Sequence, residues 1–95
     1  MLHTLMQSPF KIDTILLFNF LKPIDDFLAL QDGVLISLKK NFFLKFLLKS
    51  KANLYVLDSD LQARGISNRV SDHFLKITYR DFVFLTKINK MQMNW

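Results

Sequence analysis

Four apolar residues in a row, Phe27-Leu28-Ala29-Leu30, constrain this chain more than any other stretch. A strand with one wet face shows a polar residue at every second position, and this run shows none. Unbroken apolar runs of this length suit a strand covered on both faces, as in the middle of a parallel sheet. Asp25 and Asp26 bound the run on one side. Gln31-Asp32-Gly33 ends it on the other, a polar corner in which the glycine is able to take a positive φ. The stretch therefore predicts a central parallel strand whose C-terminal end opens into a loop.

Around that strand the pattern alternates. Leu2 to Leu5 is β-compatible, and Ser8-Pro9 offers an N-cap and a first helical position. A helix is predicted from Pro9 to Leu21, ended by Lys22-Pro23 because the residue before proline is driven out of the α region. A second is predicted from Leu35 to Lys49, with Phe42, Phe43, Phe46 and Leu47 on one face and Lys45 and Lys49 on another. Leu54 to Leu57 reads as the next strand. Asp58, Ser59 and Asp60 read as a cap and acidic first turn for a short helix, Leu61 to Arg64, stopped at Gly65.

After a polar connection from Ile66 to Asp72, His73 to Ile77 is predicted as a strand near an edge, because Lys76 interrupts it. Thr78 and Asp81 have capping-box spacing ahead of a helix reaching Asn89. Met91 to Trp95 is either a last edge strand or a frayed end. Strands alternating with helices make the class α/β with a mainly parallel sheet of four to five strands, in a single domain over residues 1–95.

Composition enters here. Half of the residues, 51%, are hydrophobic, ten are Phe, and the mean hydropathy is +0.18. A chain of 95 residues buries only about 60–65% of its unfolded surface. The surplus apolar surface needs a home. No apolar run approaches the about 18 residues that span a bilayer, and no secretory leader pattern opens the chain. A partner subunit is the account that remains.

Thirteen Lys and Arg stand against eight acidic residues, for a net +5. That balance fits either a solvated basic exterior or an anionic surface. The amphipathic Lys39 to Lys51 region would be the binding face for RNA or an acidic membrane. The chain has no cysteine, which excludes disulfides, thiolate metal sites and persulfide or thioester chemistry carried by its own residues.

With glycine only at positions 33 and 65, a Gly-rich phosphate loop is excluded. His3 and His73 lack metal-ligand spacing, and no nucleophile elbow surrounds a serine. His3 reads either as a base or as a satisfied core or interface histidine. Asp32 sits where open α/β sheets bind ligands, beyond the C-terminal end of a strand, and reads either as part of a small-molecule site or as a cap for the next helix. No catalytic, cofactor-binding or metal-binding residue is assigned.

Met1 to Leu5, Ser8-Pro9-Phe10, Leu30 to Val34, the segment Leu57 to Gly65, Asp81-Phe82-Val83 and the terminal Met93-Asn94-Trp95 together resemble the DsrH family. The resemblance spans the whole chain. It implies a three-layer α/β/α fold of the DsrE/F/H kind. It also implies a cytoplasmic heterohexamer, a dimer of heterotrimers with TusC-like and TusD-like subunits. Such a complex takes persulfide sulfur from a TusA-like donor and passes it through a TusE-like acceptor toward 2-thiolation of the tRNA wobble uridine. In this family picture a TusD-type subunit carries the working cysteine, so a cysteine-free chain has a supporting role. The resemblance implies neither a cofactor nor direct contact with nucleic acid or membrane. His3, Asp32, Phe42, Phe46 and Trp95 are the candidate partner-facing residues.

Overall fold

The computed structural model describes residues 1–95. Five strands, β1 (Leu2–Leu5), β2 (Asp26–Ala29), β3 (Asn53–Leu57), β4 (Leu75–Ile77) and β5 (Gln92–Asn94), form one sheet in the order β4-β3-β2-β1-β5, and every pairing is parallel. The strand predicted from the apolar run is the middle one, and all four residues of β2 are buried. The tail after Met91 is an edge strand, paired to β1 with Met93 opposite His3.

Four helices connect the strands: α1 (Thr14–Phe20), α2 (Leu44–Ser50), α3 (Asp58–Ala63) and α4 (Tyr79–Ile88). The chain steps from β1 to β4 in one direction and then returns past β1 to place β5. Right-handed crossovers therefore put the first three helices on one face and α4 alone on the other. The core divides in the same way. Leu17, Leu47 and Leu61 from the first three helices pack with Leu5, Phe27, Ala29, Leu54 and Val56. Leu85 of α4 packs with Leu2, Leu28, Leu57 and Ile77. No helix is long and apolar enough to cross a membrane.

The two long helices expected from sequence are each broken. Ser8 caps only a 3-10 turn, Pro9–Lys11. Ile12 is extended, and Asp13 recaps the chain by accepting from Leu16 N at 3.0 Å, so α1 begins at Thr14. In the second, Gln31–Ser37 winds as a 3-10 helix and α2 starts only at Leu44. Tertiary pairing causes the break: Leu38 bridges Val70, and Lys39 N donates to Arg69 O at 2.8 Å. Asn41 then captures backbone on both sides, accepting from Phe43 N at 2.9 Å and donating to Leu35 O at 2.8 Å.

The acids before α3 lie inside it rather than ahead of it. Its N-cap is Leu57, with Asp58 and Asp60 in the first turn. The fourth strand is shorter than expected, because His73 and Phe74 belong to the preceding turn. The capping box at α4 forms on both sides, with Asp81 N to Thr78 Oγ1 at 3.2 Å and Thr78 N to Asp81 Oδ2 at 3.1 Å.

Candidate functional site

The polar corner after β2 was the sequence's strongest hint of a ligand site. Its left-handed residue is Gln31 (φ 52), held by its amide donating to Asp60 Oδ2 at 2.6 Å. Gly33 has another task. A Cβ there would stand 2.0 Å from the Leu5 carbonyl oxygen, so the glycine lets the 3-10 helix press against the end of β1. Asp32 does not cap that helix, whose N-cap is Leu30; its carboxylate pairs with Arg64 at 3.0 Å instead. Arg64 also reaches Asp60, donating to its carbonyl at 3.3 Å. No cleft of the surface is lined by Asp32. Ligands of open sheets bind where the strand order reverses. Here that is between β1 and β5, where Gly33 and the Trp95 amide, donating to Thr4 O at 2.8 Å, crowd the end of β1. The Asp32 carboxylate is mostly exposed and is committed to Arg64.

His3 has no exposed surface, unlike the partner-facing position expected for it. Trp95, the one tryptophan, folds back from the end of β5 and donates its indole N–H to His3 Nδ1 at 3.2 Å. That bond assigns the imidazole proton to Nε2, which donates to Asp25 Oδ2 at 3.0 Å. Asp25 in turn takes the Met1 ammonium at 3.2 Å and the Lys22 amide at 3.0 Å. A polar line, buried at His3 and part-buried elsewhere, thus runs from the last strand through the first into the β2 approach, with each nitrogen of the ring engaged. Phe20 of α1 lies 6.1 Å from the Trp95 ring and covers it.

The charge of Asp25 is held by this line. Burial works to raise its pKa, but the His3 bond, the Lys22 amide and the Met1 ammonium outweigh that, and the carboxyl titrates below its ordinary 3.8. A pKa lower in the folded state than in the unfolded one adds stability above the unfolded value. That stability disappears as pH falls through the folded value. Asp25→Asn is expected to lower stability at neutral pH by about 1.5–3 kcal/mol and to flatten the loss of stability between about pH 5 and pH 2. Urea midpoints measured across that range read the effect; parallel acid limbs in the two proteins would refute the assignment.

Phe42 and Phe46 occupy the helical flank on the opposite side of the domain from α4. Phe42 is 68% exposed, Phe46 half-buried, and Lys45 Nζ lies 5.1 Å from both ring centroids. Phe18 stacks on Phe46 at 5.3 Å, and Phe10, itself 80% exposed, meets Phe43 edge-on at 5.5 Å. Lys45 is thereby committed to the aromatic cluster. Thirteen large apolar or aromatic side chains remain exposed on the whole chain, gathered on this flank and around α4. Asp25 stood out in the sequence only as an end to the apolar run, because its partners Met1 and His3 lie 24 and 22 residues away.

The family model described as "DsrH like protein" matches residues 7–92. The chain belongs to the DsrH family. Among relatives, Protein TusB of Buchnera aphidicola subsp. Schizaphis graminum is 54% identical and that of subsp. Acyrthosiphon pisum 53% identical, each over 95 residues and the full length of both chains. The fold is shared more widely. The crystal structure of the ychN protein from E. coli superposes with a TM-score of 0.77 over 99% of this chain and 97% of that one, at 12% identity. At that identity the likeness shows a shared fold and nothing finer.

Proposed function

We propose that this chain is a non-catalytic, structural subunit of a sulfur-relay complex, acting in the cytoplasm as a single DsrH-type domain. Its partners are TusC-like and TusD-like subunits in a dimer of heterotrimers. The assembly accepts persulfide sulfur from a TusA-like donor and delivers it, through a TusE-like acceptor, toward 2-thiolation of the tRNA wobble uridine. One observation carries the reading: a DsrH-family chain that has no cysteine leaves thirteen large apolar or aromatic side chains uncovered. Persulfide transfer needs a thiolate, so the sulfur passes through another subunit. Exposed apolar surface on this scale is what a subunit interface covers.

Co-expression with TusC-like and TusD-like chains tests it. The expected result is a stable mixed complex, and loss of 2-thiouridine from tRNA when this chain is deleted, restored by the wild-type chain. A soluble monomer that never co-purifies with those chains would overturn the proposal. Binding of tRNA or acidic vesicles that falls steeply with salt would point instead to the basic Lys39 to Lys51 region as a nucleic-acid or membrane surface.

A further inference from the structure

The face that carries α4 is the thinly covered one, with a single ten-residue helix over five strands. Beside that helix a groove of about 550 Å³ runs past the N-terminal ends of β2, β3 and β4. Its rim is apolar: Ile24 is 84% exposed, and Leu75, Phe84 and Ile88 are each more than half exposed.

Ile24 is also strained. Its φ is 64, in the left-handed region where a branched Cβ crowds the neighbouring carbonyl. Backbone bonds keep it there, with Ile24 N donating to Lys51 O at 3.1 Å. The result is a branched apolar side chain held in water by a backbone that glycine or asparagine would adopt more easily.

The floor is negative. Asp26 is 9% exposed and accepts only from neutral amides, Asn53 Nδ2 at 3.1 Å and Asn89 Nδ2 at 2.9 Å. None of the chain's three ion pairs, Met1–Asp25, Arg64–Asp32 and Arg64–Asp60, involves it. Asp81 adds a second carboxylate to the lining, while Lys76 turns its ammonium to Ser67 O at 2.6 Å. Next to Asp26, burial and the carboxylate charge hold the Tyr55 hydroxyl protonated beyond its ordinary 10. An apolar-walled, negatively floored groove stands out on a chain of net charge +5.

We propose that this groove docks an apolar segment of a partner subunit bearing one lysine or arginine, whose stem lies along Ile24 and Ile88 and whose charge meets Asp26. Charge complementarity selects that occupant. A carboxylate buried against neutral amides lacks a countercharge. A long basic side chain brings apolar stem and positive head together. The inference rests on the assembly reading above and assigns one surface to it.

Binding of the full chain to its TusC-like and TusD-like partners, measured with Ile24→Gly, Asp26→Asn and Phe84→Ser, tests it. Ile24→Gly is expected to leave the melting temperature of the chain unchanged or higher, yet weaken binding at least tenfold. Asp26→Asn is expected to weaken binding and flatten its salt dependence. The chain has no cysteine, so Ile88→Cys labelled with benzophenone maleimide before mixing carries one photo-cross-linker, expected to join a partner subunit. A complex that forms equally well with Ile24→Gly and Asp26→Asn, or a cross-link to a second copy of this chain, overturns the groove assignment alone. Failure of the wild-type chain to bind either partner overturns the assembly reading together with it.

Discussion

Gly33→Ala is expected to remove about 3 kcal/mol or more of folding stability, a large fraction of the about 5–15 kcal/mol that holds a small domain folded. The added methyl would sit 2.0 Å from the Leu5 carbonyl oxygen and 2.7 Å from its carbon. Both atoms belong to the backbone of a paired, fully buried strand, so neither yields without disturbing the β1–β2 register. Leu30 N also donates to that oxygen at 3.0 Å, and the same movement would break this bond. Gly65→Ala makes the contrast. Nothing lies within 4 Å of a Cβ there, and the cost is only that of a side chain at φ 66, about 1 kcal/mol. Urea denaturation followed by circular dichroism separates the two. Equal losses at positions 33 and 65 would show that conformational freedom, not contact, explains Gly33.

Phe27→Ala is the second large loss, at about 3–5 kcal/mol. Its ring is wholly buried on the middle strand and stands edge-on to Phe74 at 6.5 Å, with helices α1 to α3 over it. The parallel strands on either side fix the backbone, so the site collapses poorly around a cavity. Phe42→Ala removes the same atoms from a ring that is 68% exposed, and should change stability by about 0.5 kcal/mol. A similar shift of the denaturation midpoint for both variants would mean that β2 is not the packed centre of the sheet.

The residues divide sharply in how much they announced. The run Phe27 to Leu30 announced a buried strand because lack of alternation is a local property, and Leu54 to Leu57 did the same. Thr78 and Asp81 announced the start of α4, and Gly65 the end of α3, because capping bonds span only a few residues. Those signals sufficed for the α/β class, and the motif series gave the family. The helices expected over Pro9–Leu21 and Leu35–Lys49 failed where distant chain intervened. Val70 and Arg69 pull Leu38 and Lys39 out of a helix, and no spacing within the helix records that.

The candidate sites followed the same division. Phe42 and Phe46 were legible as an apolar flank, since the turn that leads into α2 keeps residues four apart together, with their rings 5.8 Å from each other. Asp32 was legible as a polar corner, but its partner Arg64 lies 32 residues away. His3 and Trp95 lie 92 residues apart, and only the return of β5 past β1 brings the indole to the imidazole. The groove beside α4 exists because the strand order sends a single helix to that face. Sequence by itself determined where β1 to β4 lie, where α4 starts and α3 stops, and that the chain carries more apolar surface than it can bury, but left the last strand open. Tertiary structure alone decided which surface stays bare and which carboxylates are paired, because such contacts depend on strand order, which short-range spacing does not encode.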